Sequence, residues 1–494
     1  MLLKVRNRKN LKSGILLALS SLPSPYGIGS LGKEAFDFID FLKKSRQSYW
    51  QLLPLCPVGK GNSPYSSYSS FAGEILYIDI DSLVEDGYLQ KEDIPQMEFP
   101  KNTDYDAVRS FKLPLLQKAA ENFDKSNKDF LSFKAKSQGW LNDFSIFMAI
   151  CDDRGTRDFT KWNEELKYRK SYALDSFCKE HKKSIDFYLI TQFFFYRQFE
   201  KLKKYAEKNK IQLIGDIPFY VSLESCDVWA NPECFKLGYD MTPVLVAGVP
   251  PDVFSASGQL WGNPIYDWEY HKKTGYIWWK KRLLQNALMY DVIRIDHFRA
   301  FNDFYTIPYG AHDAKSGKWE KGVGMHFWDR VKPLLRDTEI IAEDLGGDTD
   351  DVKQLINDTG FPNMSVLQFA FDSDVKDPFL PKNMSSNTVC YTGTHDNDTT
   401  LGWYKKLSSA ERIMYEKFVP KTTDSVCQNL ILFGMKSRAS TVIIPLQDYL
   451  ELDSSDRMNT PGKSKGNWEW RFEANDLNDA LAEKILNLSK KRNK

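Results

Sequence analysis

The sequence predicts an α/β fold, a (β/α)8 barrel interrupted by mainly helical insertions. Three observations carry that prediction. Eight short apolar runs recur along the 494 residues, the number of strands such a barrel requires. Their hydrophobicity is continuous rather than alternating, as in parallel strands covered on both faces. Asp296, Glu343 and Asp396 stand at or just beyond the ends of three of the runs, and barrel active sites form at the C-terminal ends of the strands.

In chain order the runs span residues 14–19, 49–54, 211–216, 291–296, 339–343, 366–371, 388–392 and 441–445. The first follows Lys4, Arg6, Arg8, Lys9 and Lys12, which imitates a secretory leader. Its apolar core is short and no Ala-x-Ala site follows, so a first barrel strand is the preferred reading. Helical patterns lie between the runs. Residues 35–43 carry Phe36, Ile39 and Leu42 at spacings of three, and Phe195, Phe199 and Leu202 mark one helix face before the third run. The acids of Asp348-Thr349-Asp350-Asp351 sit where they would cap a helix N-terminus; the order and glycine of an EF-hand calcium loop are missing.

Two gaps are too long for simple crossovers. Residues 80–186 are charged and helical in pattern and read as an insertion beyond the second strand. Residues 219–287, dense in Trp, Pro, Gly and Asn, read as an insertion covering the active-site cleft. The barrel is then discontinuous, built from 1–79, 187–218 and 288–494.

Composition excludes several function classes. Sixty-seven basic against sixty-six acidic residues give a net charge of +1, so no global field draws the chain to nucleic acid or anionic lipid. Apolar runs stay well short of the 18 residues of a membrane span. Seven cysteines, Cys56, Cys151, Cys178, Cys226, Cys234, Cys390 and Cys427, form no CxxC and no metal spacing. Reduced thiols in a cytoplasmic protein are expected.

The chemistry is read from the strand ends. Arg294-Ile295-Asp296, Glu343 and Asp396 place three carboxylates at or just beyond predicted strands. A retaining glycosidase needs two carboxyl groups about 5 to 5.5 Å apart, one as nucleophile and one as acid and then base. Two charges at that distance repel by about 3 kcal/mol at an effective dielectric near 20, so one carboxyl can stay protonated near neutral pH. Residues i and i+2 of a strand share a face, so Arg294 can hold Asp296 ionised. Asp296 is therefore the better nucleophile and Glu343 the better proton donor, while His395 and Asp396 can meet sugar hydroxyls. A single Asp or Glu at a strand end is usually a surface group or a cap; three in series argue for one site.

These residues closely resemble the 4-α-glucanotransferases known as amylomaltase or disproportionating enzyme, relatives of the α-amylase superfamily. The resemblance runs almost end to end through Ser20-Ser21-Leu22-Pro23, Trp50-Gln51-Leu52-Leu53-Pro54 and Ser63-Pro64-Tyr65-Ser66. It continues through Gly215-Asp216-Ile217-Pro218, Val249-Pro250-Pro251-Asp252, Gln259-Leu260-Trp261-Gly262-Asn263-Pro264 and Met458-Asn459-Thr460-Pro461-Gly462. It implies a retaining transferase of the carbohydrate metabolism of starch, glycogen or maltodextrin, with Asp296 as nucleophile, Glu343 as acid/base and Asp396 as transition-state stabiliser. It also implies a donor sugar site of Ser63, Tyr65, Asp216, Arg294, His395, Asp372 and Asn467. Gln259 and Trp261 match a mobile loop over the acceptor side. Taken alone, Tyr65 could be a turn aromatic, Asp216 a salt-bridging strand end and Trp261 a packed loop anchor.

The implied substrates are α-1,4-glucans and maltooligosaccharides, with glucose as an acceptor, and the protein is expected to act as monomer or homodimer without metal or organic cofactor. Cys56, Asn363, Ser365 and Lys382 depart from the family pattern, which bears on acceptor preference rather than reaction class. Two rivals remain: a hydrolase on the same carboxylates, and a catalytically silent glucan-binding protein.

Overall fold

The computed structural model describes residues 11–251, 255–346, 349–371 and 376–493. Asp252, Asp348, Asp372 and the basic residues Lys4, Arg6, Arg8 and Lys9 lie outside them. Twelve strands are present among the described residues: β1 (Lys12–Leu16), β2 (Tyr49–Gln51), β3 (Gln212–Ile217), β4 (Leu245–Val249), β5 (Gln259–Pro264), β6 (Val292–Ile295), β7 (Asp303–Pro308), β8 (Lys318–Lys321), β9 (Glu339–Ala342), β10 (Asn363–Val366), β11 (Thr388–Tyr391) and β12 (Thr441–Pro445).

Eight of them close a parallel barrel in the order β1-β2-β3-β6-β9-β10-β11-β12. The predicted fold class is therefore the observed one, and the sequence order of the strands is their order around the barrel. The strands are almost wholly buried, which is why they read as continuous apolar runs. Packing is tight where backbone meets side chain. A Cβ on Gly215, in β3, would stand 2.1 Å from the ring of Tyr290, so only glycine fits beside that ring.

Two strands differ from the expected ranges in an instructive way. The first spans Lys12–Leu16, and Leu19–Ser21 turn as a 3-10 helix. The sixth is Asn363–Val366, ahead of the apolar run Val366–Phe371, half of which instead forms the 3-10 turn Leu367–Phe369. A short apolar run does not distinguish a buried strand from a buried turn. Polar Asn363 and Ser365 hide the true strand. Asn363 is tolerated because its side-chain Oδ1 accepts from Thr388 Oγ1 at 2.7 Å.

The barrel carries two long excursions. Between β2 and β3 lie the helices Tyr105–Glu121, Lys128–Lys136 and Leu141–Arg154, and then Lys182–Lys208, which buries Phe193, Phe194, Phe195, Phe199 and Leu202. The second excursion, between β3 and β6, contributes to a four-stranded antiparallel sheet in the order β5-β4-β7-β8. Its β4 and β5 come from between β3 and β6, whereas β7 and β8 come from between β6 and β9. Buried aromatic rings tie these segments together: Phe219 meets Phe301 with centroids 4.9 Å apart, and Phe301 meets Trp328 at 4.9 Å.

Candidate active site

Parallel register builds the centre of the site. Asp216 on β3 pairs with Arg294 on β6, and Ile295 pairs with Ala342 on β9. The ladders run one residue further: Asp296 N–H donates to Ile217 O at 3.0 Å and Glu343 N–H to Ile295 O at 3.1 Å. Asp296 and Glu343 thus sit next to each other on neighbouring strand ends, about 4.8 Å apart by strand spacing.

Arg294 organises the carboxylates. Its Nη1 donates to both oxygens of Asp216 at 2.7 and 2.6 Å, and its Nη2 to Asp296 Oδ1 at 2.9 Å. The Asp216 side chain is 0% exposed and Arg294 4%, whereas Asp296 keeps 30% open. Burial works against the guanidinium charge, but Asp216 and then Asp296 more than offset it and hold Arg294 protonated. Tyr65 OH also donates to Asp216 Oδ2, at 2.7 Å. Asp216 is thereby committed to Arg294 and Tyr65, and Asp296 is the carboxylate left facing the cleft. Asp216→Ala would remove the buried counter-ion of Arg294 and leave it only the partly open Asp296. The expected cost is about 3–5 kcal/mol, measured by urea unfolding against the wild type; a change below about 1 kcal/mol would refute this account.

Glu343 has a different environment. Burial first, and then the neighbouring charge of Asp296, push its carboxyl up to about 7. Arg294 and two backbone donors oppose the rise: His297 N–H reaches Oε2 at 2.6 Å and Leu345 N–H reaches Oε1 at 2.7 Å. Burial, rather than the repulsion between carboxylates expected from the sequence, is the larger cause. His297 adopts the left-handed region, with φ 51, and this turn after Asp296 aims its N–H at Glu343.

Asp396 arrives from the loop after β11. Asn459 Nδ2 donates to its Oδ1 at 2.6 Å, and His395 Nε2 lies 3.3 Å from the same oxygen. His395 stacks on Tyr65, centroids 5.0 Å apart at 13°, and Trp468 flanks both rings. Ser63 caps the short turn that presents Tyr65, its Oγ accepting from Tyr65 N–H at 3.2 Å. Asn467 is buried and ties a loop, accepting from Thr460 N–H at 2.9 Å and donating to Lys463 O at 2.8 Å.

Gln259 and Trp261 do not lie on an irregular loop. They belong to β5, the edge strand of the antiparallel sheet, with Gln259 opposite Val249. Both are exposed, and Trp261 Nε1 donates to Gln259 Oε1 at 3.1 Å. Trp261 also meets His297 edge-on at 4.9 Å. Together with Tyr65, Tyr220, Asp296 and Lys60, Trp261 borders a cleft of about 460 Å³. Asp372 lies outside the described residues. Asn459, Arg457, Trp468 and the His297 N–H carry no role legible in the sequence, although Asn459 lies in the motif at residues 458–462, Arg457 just before it and His297 just after Asp296.

A family model described as 4-alpha-glucanotransferase matches residues 17–477. The chain belongs to the 4-alpha-glucanotransferase family. It is 42% identical over 489 residues to the 4-alpha-glucanotransferase of Streptococcus pneumoniae, covering 97% of each chain. Against that of Thermus thermophilus it is 40% identical over 478 residues, covering 94% of this chain and 95% of the relative. The amylomaltase of Streptococcus agalactiae, solved in complex with acarbose, aligns with a TM-score of 0.94 and 36% identity, over 98% of this chain and 99% of that one. The family makes this enzyme a transferase acting on α-glucans. Among the described residues, no helix is long and apolar enough to cross a membrane.

Proposed function

We propose that the enzyme moves α-1,4-glucan segments between maltooligosaccharides, with glucose as an acceptor, by a retaining double displacement. The observation that carries this reading is the pair of unlike carboxyls: Asp296 beside the Arg294 guanidinium, and Glu343 pushed up to about 7 on the next strand. In the first step Glu343 protonates the glycosidic oxygen while Asp296 attacks C1. The C1–O bond breaks, a C1–carboxylate bond forms, and the reducing-end fragment leaves with a new hydroxyl. Because Oδ1 of Asp296 is held by Arg294, Oδ2 is the attacking oxygen. In the second step Glu343, now ionised, takes the proton of an acceptor 4-hydroxyl, which attacks C1 and frees Asp296. Two inversions give retention.

Asp396 and His395 stabilise the oxocarbenium-like ring, and Tyr65 stacks on it. Asp216 and Asn467 hold this set in place from behind, as does Ser63 beneath Tyr65. Asp372 remains in the donor site on resemblance alone. The segments 80–186 and 219–287 are read as insertions on the barrel. Seven free cysteines support a cytoplasmic setting.

Transfer must outrun hydrolysis with water at about 55 M. An acceptor held in line reaches an effective molarity of roughly 10⁵ M, enough for transfer to win where the acceptor side is well formed. Pure maltotriose tests this: longer products without a matching rise in total reducing ends support transfer, whereas reducing ends that climb with time point to a hydrolase. Trp261→Ala removes one exposed ring from the acceptor side. Losing about 1 kcal/mol of stacking is expected to raise the hydrolysis-to-transfer ratio about fivefold in the same assay; an unchanged ratio removes Trp261 from acceptor binding.

A further inference from the structure

The Asp396 side chain is more open than that of Asp296, 45% against 30%. It stands on a loop, five residues beyond the end of β11, so no strand fixes its side chain. An exposed, loop-borne carboxylate samples several rotamers, and ordering it during the reaction would cost rate.

The chain supplies a fixed frame from a distant segment, residues 457–468. Asn459 Nδ2 donates to Asp396 Oδ1 at 2.6 Å, and Asn459 N–H donates to His395 O at 3.1 Å. Arg457 Nε donates to Asn459 O at 2.5 Å, and its Nη2 donates to the backbone oxygen of Asp396. The segment is closed on itself by Thr460 N–H to Asn467 Oδ1 at 2.9 Å and Trp468 N–H to Met458 O at 2.8 Å.

The division of labour is informative. The cation, Arg457, is spent on backbone carbonyls, while the carboxylate receives a neutral amide. A guanidinium on Asp396 would orient it but neutralise the field it offers to a developing positive charge; an amide orients it and leaves the charge intact. Both side-chain contacts, from Asn459 and His395, fall on Oδ1, which leaves Oδ2 for the sugar. We propose that Asn459 is a positioning residue for glucan transfer, locking the Asp396 carboxylate so that Oδ2 meets the donor ring, with Arg457 holding the two backbones in register. The proposal rests on the reading of Asp396 as transition-state stabiliser.

Three variants test it in the full-length enzyme: Asn459→Ala, Asn459→Asp and Asp396→Asn, assayed for maltotriose disproportionation between about pH 5 and 8. Asn459→Ala removes the contact with Asp396 and keeps the backbone ties of the segment. It should lower kcat about 10- to 100-fold with KM changed less than about threefold, the size expected from misplacing a reacting group. Asn459→Asp is isosteric. Its introduced carboxyl faces Asp396, His395 and Arg457, with Asp398 acting on Arg457 from behind. When ionised it repels Asp396; when protonated it again donates a hydrogen bond. Its rate relative to wild type should therefore rise at least about tenfold from pH 8 to pH 5.

A merely structural role would lower all pH points alike. Asn459→Ala within twofold of wild type, or an Asn459→Asp to wild-type ratio that does not change with pH, overturns the positioning role. The second readout lies within one folded protein and stands even where the alanine variant fails to fold. If Asp396→Asn retains wild-type activity, the reading of Asp396 itself falls. An inactive Asp396→Asn beside a fully active Asn459→Ala overturns only the role of Asn459.

Discussion

Asp296→Asn is expected to lose transfer activity by a factor of about 10⁴ or more, the scale seen when a covalent catalyst is removed. The amide keeps the shape of the side chain but is too weak a nucleophile to form the C1 ester. Part of the expected loss is electrostatic. Arg294 reaches Asp296 at 2.9 Å, and that contact holds a negative oxygen opposite the ring carbon that becomes positive. The fold should survive, because Arg294 retains its bidentate contact with Asp216 at 2.6 and 2.7 Å. Maltotriose disproportionation, followed by product chromatography, measures the loss, and thermal unfolding checks the fold. Residual activity above about a tenth of wild type, in a variant that unfolds normally, would assign the nucleophile elsewhere.

The parts of this site legible in sequence are those set by strand periodicity. Arg294 and Asp296 share a face because a strand repeats every two residues, and in the structure Arg294 donates through Nη2 to Asp296 and through Nη1 to Asp216. From sequence Asp216 is a donor-site residue by resemblance and, taken alone, a salt-bridging strand end with no partner named. Its identity as the buried counter-ion depends on the β3–β6 register, in which it opposes Arg294, and register between strands separated by more than 70 residues is not a local property.

The same limit hid the antiparallel sheet. β4 pairs with β7 across the whole of β6, so neither hairpin announces its partner, and Trp261 read as a loop residue although it stands on an edge strand. Asn459 was visible as part of a motif but mute, because its contact with Asp396 spans 63 residues. The sixth strand slipped for a different reason. Its polar residues Asn363 and Ser365 break the apolar signal, Asn363 being satisfied by Thr388 on the neighbouring strand, and the apolar run that follows turns away from the ladder.

Glu343→Gln separates the two halves of the mechanism and is expected to lower kcat on maltotriose about 10²- to 10⁴-fold, the usual contribution of a positioned acid/base. The pH dependence identifies the group. A proton donor pushed up to about 7 makes the wild-type rate fall about tenfold per pH unit above that point; the glutamine variant should lose this alkaline limb. An activated donor such as α-glucosyl fluoride expels fluoride without a proton, so the first step proceeds in the variant while the second, which needs the base, stalls. A glucosyl ester on the peptide containing Asp296 should then accumulate and be seen by mass spectrometry; its absence, with fluoride still released at the wild-type rate, would rule out this acid/base assignment. Stability should move the opposite way. The folded state binds the Glu343 proton more tightly than the unfolded chain, so wild-type stability declines as pH rises from 4.5 to about 7 and levels off above it. The decline amounts to about 3 kcal/mol, and the glutamine variant escapes it. Greater stability of Glu343→Gln than of wild type at pH 8, converging below pH 4.5, would therefore mark Glu343 as a residue kept protonated for catalysis at the expense of the fold.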